Sequence, residues 1–413
     1  MTFLSKAYIL TNKIQHYEWG ERGGSAFIAK LLDMRGVGEN MPLAEMWMGT
    51  HPLGTSELNY GGKPVLLSDL VQRYPVEILG QRVASAFVSQ FPFLLKILSA
   101  NEPLSIQLHP SKEQALALHQ NDPTHYPDSN HKPEIAIALE GLRALAGLCD
   151  AHQVGALMAE YPALRDFVEF ETFSDQPKHK QPKLAFLSLL RNSIIHSDEM
   201  AQVIDQVAAS IHKKSRSSYR EKLFLEMSAK YPGDVGLLAI FFLKLHNLGK
   251  GQAMFIPAGV PHAYLKGNIV ECMASSDNVI RAGLTPKFND IPTLLEVVTD
   301  QPVVLFSPDA PSYVYPAPVS EFRVSKLALE AGQKINETND SVRVLLILSG
   351  RLKLAWADGA PRPVEDSGSY AETGTAFASL EGRRGQAVLV PASLGQIEIE
   401  CLEACEIFKA DVS

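Results

Sequence analysis

The chain has 413 residues, of which 46% are apolar and 20% are charged, and its formal net charge is −8. That length exceeds what one hydrophobic core usually serves, so two or three domains are expected. The negative charge argues against nucleic acid and anionic membranes as partners, and it requires local cations wherever an anionic ligand binds.

The sequence also predicts the compartment. Its first ten residues lack the basic start and long apolar run of a signal peptide. The longest apolar stretch, residues 235–243, is too short to cross a bilayer. Four scattered cysteines do not form a disulfide scaffold. We therefore expect a soluble protein of the reducing cytoplasm.

Taken in chain order, the first 150 residues contain short apolar runs, at 93–98 and 135–139, that predict strands. Between 151 and 248 the pattern changes to helix. At 197–211 the apolar residues recur at the spacing of one helical face. A further helix is predicted from a cap at Asp234 to about residue 249.

After residue 250 strand patterns return, for example at 342–348 and 387–390, and one segment is repeated. Residues 251–259 (GQAMFIPAG) and 385–393 (GQAVLVPAS) share five of nine positions. Chance similarity of a strand and turn is the alternative. We interpret the repeat as two related β-domains interrupted by a helical insertion. The predicted parts are residues 1–150 plus 249–313, the insertion 151–248, and a C-terminal domain 314–413.

Polar side chains gather on one face of two predicted strands. In residues 104–109, Ser105, Gln107 and His109 alternate with apolar residues that face the core. In residues 131–139 the same parity places Lys132 beside Glu134. The sequence therefore predicts that these hydroxyl, amide, imidazole, ammonium and carboxylate groups lie on the strand faces opposite the core.

A third imidazole-bearing segment follows a Pro/Gly turn. The spacing of Gly251, Pro257, Gly259 and His262 resembles the second metal motif of the cupin superfamily, although Lys266 stands where that motif ends in Asn. Two imidazoles, a carboxylate and an amide oxygen suit a divalent transition metal. A lone histidine in a strand is more often structural than a ligand, so the spacing is the stronger signal. In the second repeat Gln396 replaces His262, which predicts a C-terminal domain without metal.

Seven segments make the chain resemble the type I phosphomannose isomerase (mannose-6-phosphate isomerase) family over nearly its whole length. They are YEWG (17–20), AEMWMGTHP (44–52), PFLLK (92–96), SIQLHP (105–110), HKPE (131–134), AGVPHAYLKG (258–267) and NVIRAGLTPK (278–287). The resemblance is weakest across 151–230 and beyond 314. It implies a mainly β fold with two cupin-like jelly-roll domains and an α-helical insertion. It also implies one Zn²⁺ per chain on Gln107, His109, Glu134 and His262, with the active-site arginine at Arg281.

The implied reaction interconverts mannose 6-phosphate and fructose 6-phosphate through a cis-enediol. Moving hydrogen between C1 and C2 needs a positioned base and electrostatic stabilisation of the enediolate. Four residues are unranked candidates for proton transfer or ring opening: Lys132, Glu271, Lys96 and His131. Ser105 and Lys287 are candidate phosphate contacts, and Tyr264 is expected to line the pocket or the core. The expected partner is a small sugar phosphate, bound by a monomer or weak homo-oligomer.

Two other functions fit part of the pattern. Two histidines and a carboxylate also describe the facial triad of a non-haem iron oxygenase. Gln107 as a fourth ligand disfavours that reading, because oxygen chemistry needs open positions. A non-catalytic sugar-binding cupin is the second alternative, and turnover distinguishes it from an isomerase.

Overall fold

The computed structural model describes residues 3–357 and 377–413, which pack into two compact units. The first unit comprises the described residues of Met1–Ser99, Val270–Ser275 and Ser307–Ser413. The second comprises Ala100–Ile269 and Ser276–Phe306. In the described part of the chain, no helix is long and apolar enough to span a bilayer.

The secondary structure follows in chain order. Up to about residue 100 the elements are β1 (Tyr8–Thr11), β2 (Lys13–Gln15), β3 (Glu21–Arg22), α1 (Phe27–Leu31), β4 (Pro42–Leu43), β5 (Glu45–Met48), β6 (Glu57–Tyr60), β7 (Lys63–Leu66), α2 (Leu67–Arg73), α3 (Pro75–Leu79), α4 (Gln81–Ala86) and β8 (Phe93–Ala100). The next set is β9 (Ile106–Leu108), α5 (Lys112–Asn121), β10 (Glu134–Leu148), α6 (Ala151–Glu160), α7 (Pro162–Phe167), α8 (Gln181–Ile195), α9 (Ser197–His212), α10 (Tyr219–Lys230), α11 (Gly236–Phe242), β11 (Leu243–Gly249), β12 (Ala253–Ile256), β13 (His262–Ala274), β14 (Ile280–Gly283), α12 (Ile291–Val297) and β15 (Val304–Phe306). The chain then forms β16 (Tyr313–Tyr315), β17 (Arg323–Leu329), β18 (Lys334–Asn339), β19 (Arg343–Ala357), β20 (Phe377–Arg383), β21 (Ala387–Val390) and β22 (Gly395–Asp411).

The first unit contains an antiparallel sheet in the order β16-β17-β22-β19-β21-β1-β6-β7, with β18 on β22 and β20 on β19. The N-terminal strand β1 joins this sheet because Tyr8 pairs with Leu389 and Leu10 with Ala387. Tyr8 and Leu10 are buried, as alternation along a half-buried strand requires. The start of the chain thus packs with the C-terminal strands. The division into three parts at residues 150, 248 and 313 stays a prediction from sequence.

In the second unit, strands run in the order β15-β12-β10-β13, while β9 pairs with both β13 and β14. Residues 151–242 form the predicted helices, and α9 buries Val203, Ile204, Val207 and Ile211 on one face. The predicted helix after Asp234 ends at Phe242, so its extension to residue 249 was wrong. Leu243–Gly249 instead forms β11, because Leu248 and its neighbours pair with β10.

The repeated segments have the same local structure in each unit. Gly251 and Gly385 adopt φ of +81° and +83°. One turn is closed by the Gln252 side chain accepting from Gly249 N at 2.8 Å. The other is closed by Gln386 accepting from Arg383 N at 3.0 Å. Each glycine leads into a short buried strand, so the repeat reflects a shared strand-and-turn structure.

Candidate metal centre

Strand β9 brings three predicted site residues into one row. Its central residue, Gln107, pairs with His262 on β13 and with Arg281 on β14. Ile106 and Leu108 are fully buried on the opposite face, as the alternation predicts. The observed strand is shorter than the predicted 104–109, so Ser105 and His109 flank it. Register therefore places Gln107 between His262 and Arg281.

The turn before β13 fixes His262 relative to His109. Gly259 N donates to His109 O at 2.7 Å. Gly259 has a φ of +74°, and a Cβ there would lie 2.6 Å from Val297 O. Glycine alone fits this position, because other residues would be strained and would collide with backbone. The Gly-x₂-His spacing thus has a steric reason.

The two histidines expose the same ring nitrogen to Glu134. His109 Nδ1 donates to Asn278 O at 2.8 Å, and His262 Nδ1 donates to Val260 O at 3.0 Å. Because a carbonyl only accepts, each neutral ring keeps its lone pair on Nε2. Those Nε2 atoms lie 3.3 Å and 3.4 Å from the Glu134 carboxylate oxygens. All three side chains are buried, and their ligand atoms lie within 4.8 Å of one another.

These atoms fit a metal ion. Among the described residues, His109 Nε2, His262 Nε2 and Glu134 Oε2 are buried without a hydrogen-bond partner. Leaving buried polar atoms unsatisfied is costly, and a shared cation would satisfy all three. Nitrogen and oxygen ligands on one tetrahedral Zn²⁺ lie about 3.4 Å apart. The observed spacing matches that value.

Charge in the site is set by burial and by Lys132. Burial, aided by the Lys132 ammonium, lowers the pKa of His109 to about 4, so its imidazole is neutral near pH 7. Burial alone would raise the pKa of Glu134. Lys132, whose Nζ lies 3.0 Å from Glu134 Oε1, and His109 instead hold that pKa well below its usual range. The site therefore offers a neutral imidazole at His109 and an ionised carboxylate at Glu134, the protonation states that a metal requires.

The remaining predicted residues of the second unit vary in burial. Tyr264 is buried, with its ring centroid 6.1 Å from that of His262. Arg281 is half-buried, and burial lowers the pKa of its guanidinium. Ser105 and His131 are half-buried and Lys287 is exposed. The structure thus groups Tyr264 and Arg281 with the histidines by strand register, while Lys287 lies four residues beyond the end of β14.

Two other candidates, Lys96 and Glu271, meet in the first unit. Lys96 Nζ lies 3.3 Å from Glu271 Oε2 and 3.5 Å from Glu45 Oε2. Trp47 donates its indole N–H to the same Glu45 oxygen at 2.5 Å. All four residues are buried. The sequence analysis did not select Glu45. A carboxylate at the start of the otherwise apolar segment 45–48 could have indicated a functional residue.

The second repeat differs from the first at the position that corresponds to Glu134. Glu134 pairs with Ile256 at the start of β10, and the corresponding pair in the other copy is Arg343 with Val390. The Arg343 guanidinium is buried and donates to Glu337 at 2.6 Å. A fixed cation thus occupies the position of the ligating carboxylate. Across residues 3–357 and 377–413, the His109–Glu134–His262 set is the one group of metal-ligating side chains that converges.

Comparison with known proteins decides the family. The model of the phosphomannose isomerase type I catalytic domain matches residues 8–150. The mannose-6-phosphate isomerase of Mus musculus is 37% identical over 380 residues, covering 84% of this chain and 88% of the mouse protein. This chain belongs to the mannose-6-phosphate isomerase family. The family resemblance drawn from the seven sequence segments is thereby confirmed.

Solved structures of this family share the fold of this chain. A variant of the Salmonella typhimurium phosphomannose isomerase superposes with a TM-score of 0.83 at 27% identity, covering 98% of this chain and 99% of that one. A zinc-bound mannose 6-phosphate isomerase gives a TM-score of 0.80 at 28% identity, with the same coverage. The predicted fold class, cupin-like β-domains with a helical insertion, is confirmed.

Proposed function

We propose that this chain interconverts mannose 6-phosphate and fructose 6-phosphate, using one zinc ion held by Gln107, His109, Glu134 and His262. The observation that carries the proposal is the buried His–Glu–His set, whose two Nε2 atoms face one carboxylate without other partners in the described structure. Membership of the mannose-6-phosphate isomerase family and the zinc-bound relative support both the reaction and the metal.

The ligand set suits an isomerase that uses no redox change at the metal. One carboxylate and three neutral ligands would leave a bound Zn²⁺ with a net charge of +1, which polarises substrate oxygens and favours an enediolate. Gln107 would supply the amide oxygen, because register places it beside His262. Lys132 would keep Glu134 ionised and would hold a second positive charge at the ligand shell.

Their contacts support a different proposed role for each of the proton-transfer candidates. Glu271 is a buried carboxylate that pairs with Lys96 at 3.3 Å. Such an ion pair keeps a carboxylate available as a base, and its lysine can return a proton. We therefore assign proton transfer to the Lys96–Glu271 pair. Lys132 serves electrostatics at the ligand shell, and His131, half-buried beside it in the chain, assists ring opening.

Binding an anionic sugar requires local cations, since the chain carries a net charge of −8. Arg281 lies next to Gln107 across the β9–β14 pairing, so its guanidinium would act on charge that develops at C1 and C2. Lys287 and Ser105 would contact the phosphate, and Tyr264 would line the pocket. We further propose a cytoplasmic location and a monomer or weak homo-oligomer.

The test is a coupled isomerase assay on mannose 6-phosphate, before and after exhaustive chelation. Activity should disappear with zinc and return when Zn²⁺ is restored. Full activity in a preparation shown by elemental analysis to be metal-free would refute the metal role. Zinc binding without turnover would favour the non-catalytic sugar-binding cupin, and oxygen uptake with Fe²⁺ would favour the oxygenase.

A further inference from the structure

The orientation of His109 depends on one backbone carbonyl. Its Nδ1 donates to Asn278 O at 2.8 Å, and that bond leaves Nε2 facing Glu134. A metal-bound histidine that loses such a partner can rotate or change tautomer, which weakens the metal. The position of the Asn278 carbonyl therefore affects how well His109 can bind a metal.

Asn278 is fully buried and is fixed by its own hydrogen bonds. Its side-chain Nδ2 donates to Asp128 O at 2.6 Å and to Asn130 O at 2.9 Å. Its backbone N donates to Ser276 Oγ at 3.1 Å. The residue is thus tied to the loop at 128–130, far away in sequence.

Asp128 holds the other side of the same connection. Its Oδ1 accepts from Ser276 Oγ at 2.8 Å, and its Oδ2 accepts from Asp277 N at 2.8 Å. Both carboxylate oxygens therefore bind the turn at 276–278. Oδ1 also accepts from Asn130 N at 2.9 Å, which closes the loop that leads to Lys132 and Glu134. One carboxylate thus connects the segments on either side of the metal site.

We propose that Asp128 is a positioning residue for the metal ligand His109, acting through the 276–278 turn and the Asn278 carbonyl. The proposal rests on the proposed zinc site. It explains why a carboxyl side chain joins two loops at this place. A carboxylate offers acceptors on both oxygens. The groups of the turn that contact it are donors, namely the Ser276 hydroxyl, the Asp277 backbone N–H and the Asn278 amide NH₂.

The decisive variant is Asp128→Asn, which keeps the shape but replaces one acceptor with a donor. We expect the zinc dissociation constant, measured by competition with a chelator of known affinity, to rise about 10- to 100-fold. The matched control is Asp122→Asn. Asp122 belongs to the same region but its side chain binds His125, by bonds of 2.7 Å and 3.2 Å. The control should bind zinc as the parent does.

A purely structural role would lower the stability of the metal-free protein. We therefore expect the unfolding midpoint in excess chelator to fall no further in Asp128→Asn than in Asp122→Asn. Ser276→Ala leaves the Asp128 carboxylate in place but removes the contacts of Ser276 Oγ with Asp128, Asn130 O and Asn278 N, and it should raise the zinc dissociation constant by only a few-fold. This variant also keeps the test decisive if Asp128→Asn does not fold.

A double-mutant cycle tests the route through Asn278. Asn278→Ala keeps the carbonyl but loses the Nδ2 bonds, so combining it with Asp128→Asn should cost less than the sum of the single effects. Parental zinc affinity in Asp128→Asn, equal losses in Asp122→Asn, or strict additivity would overturn the proposal. Failure of the parent protein to bind zinc would refute the proposed function instead.

Discussion

Replacing Gly259 by alanine tests whether the turn before His262 sets the ligand geometry. The new Cβ would lie 2.6 Å from Val297 O and 2.7 Å from Thr299 Cγ2, at a φ of +74°. The left-handed backbone costs about 1 kcal/mol for a residue with a Cβ, and relieving the collision costs about 1–3 kcal/mol more. Gly259→Ala should therefore destabilise the protein by about 2–4 kcal/mol.

Gly251→Ala is the matched control. Gly251 has a φ of +81°, but a Cβ there would meet no described atom within 4 Å. This variant should show only the backbone cost, about 1 kcal/mol. The difference between the two variants thus isolates the collision from the backbone strain.

The same change should reduce activity. Moving the turn far enough to relieve the collision requires a shift of about 0.8 Å. Gly259 N donates to His109 O, so the shift would displace His109 and His262 together. Misplacement of catalytic groups by about 1 Å can cost about 100-fold in rate. We expect kcat/KM to fall at least tenfold in Gly259→Ala and to stay near parental in Gly251→Ala.

Urea unfolding of the zinc-loaded proteins and the coupled isomerase assay provide the two measurements. Equal stability and equal kcat/KM in the two variants would refute the steric reasoning. If Gly259→Ala lost activity but kept parental stability, the defect would lie in the geometry of the site rather than in the packing of the turn.

The remaining predictions concern a ligand, a substrate contact and a charge network. His262→Ala should lose most bound zinc by elemental analysis, whereas His119→Ala should retain it, because His119 Nδ1 bonds Tyr126 O at 2.7 Å. Arg281→Ala should lower kcat sharply with little change in KM. Arg281→Lys should recover little of the lost kcat, because a point charge cannot replace a planar donor. Near-parental steady-state kinetics in both variants would contradict this. Burial opposes ionisation of Glu221, but hydrogen bonds from Lys214 and Tyr161 lower its pKa to about 2. The ionised form therefore stabilises the fold above about pH 4.5 and loses this effect as the pH falls towards 2. Acidification should cost the parent about 2 kcal/mol more than Glu221→Gln in urea unfolding, and parallel losses would contradict the assignment.

Local pattern was sufficient for much of the site. The alternation around Gln107 and the turn spacing before His262 depend on backbone geometry within a few residues, so they can be read from sequence. The buried face of α9 follows from its 3.6-residue period for the same reason. The sequence also predicts that the second repeat lacks a ligand, because Gln396 stands where the first copy has His262.

Only the tertiary structure decided which distant groups meet. Leu243–Gly249 is a strand because it pairs with β10. Local residue propensities do not predict such a pairing. The pairing of Gln107 with both His262 and Arg281 is a matter of register between strands far apart in the chain. Glu45 and Asp128 were missed for a related reason. Glu45 contacts Lys96, and Asp128 contacts residues 276–278, all of which are distant in sequence. These contacts form only when folding removes the carboxylates from water and brings the donors next to them.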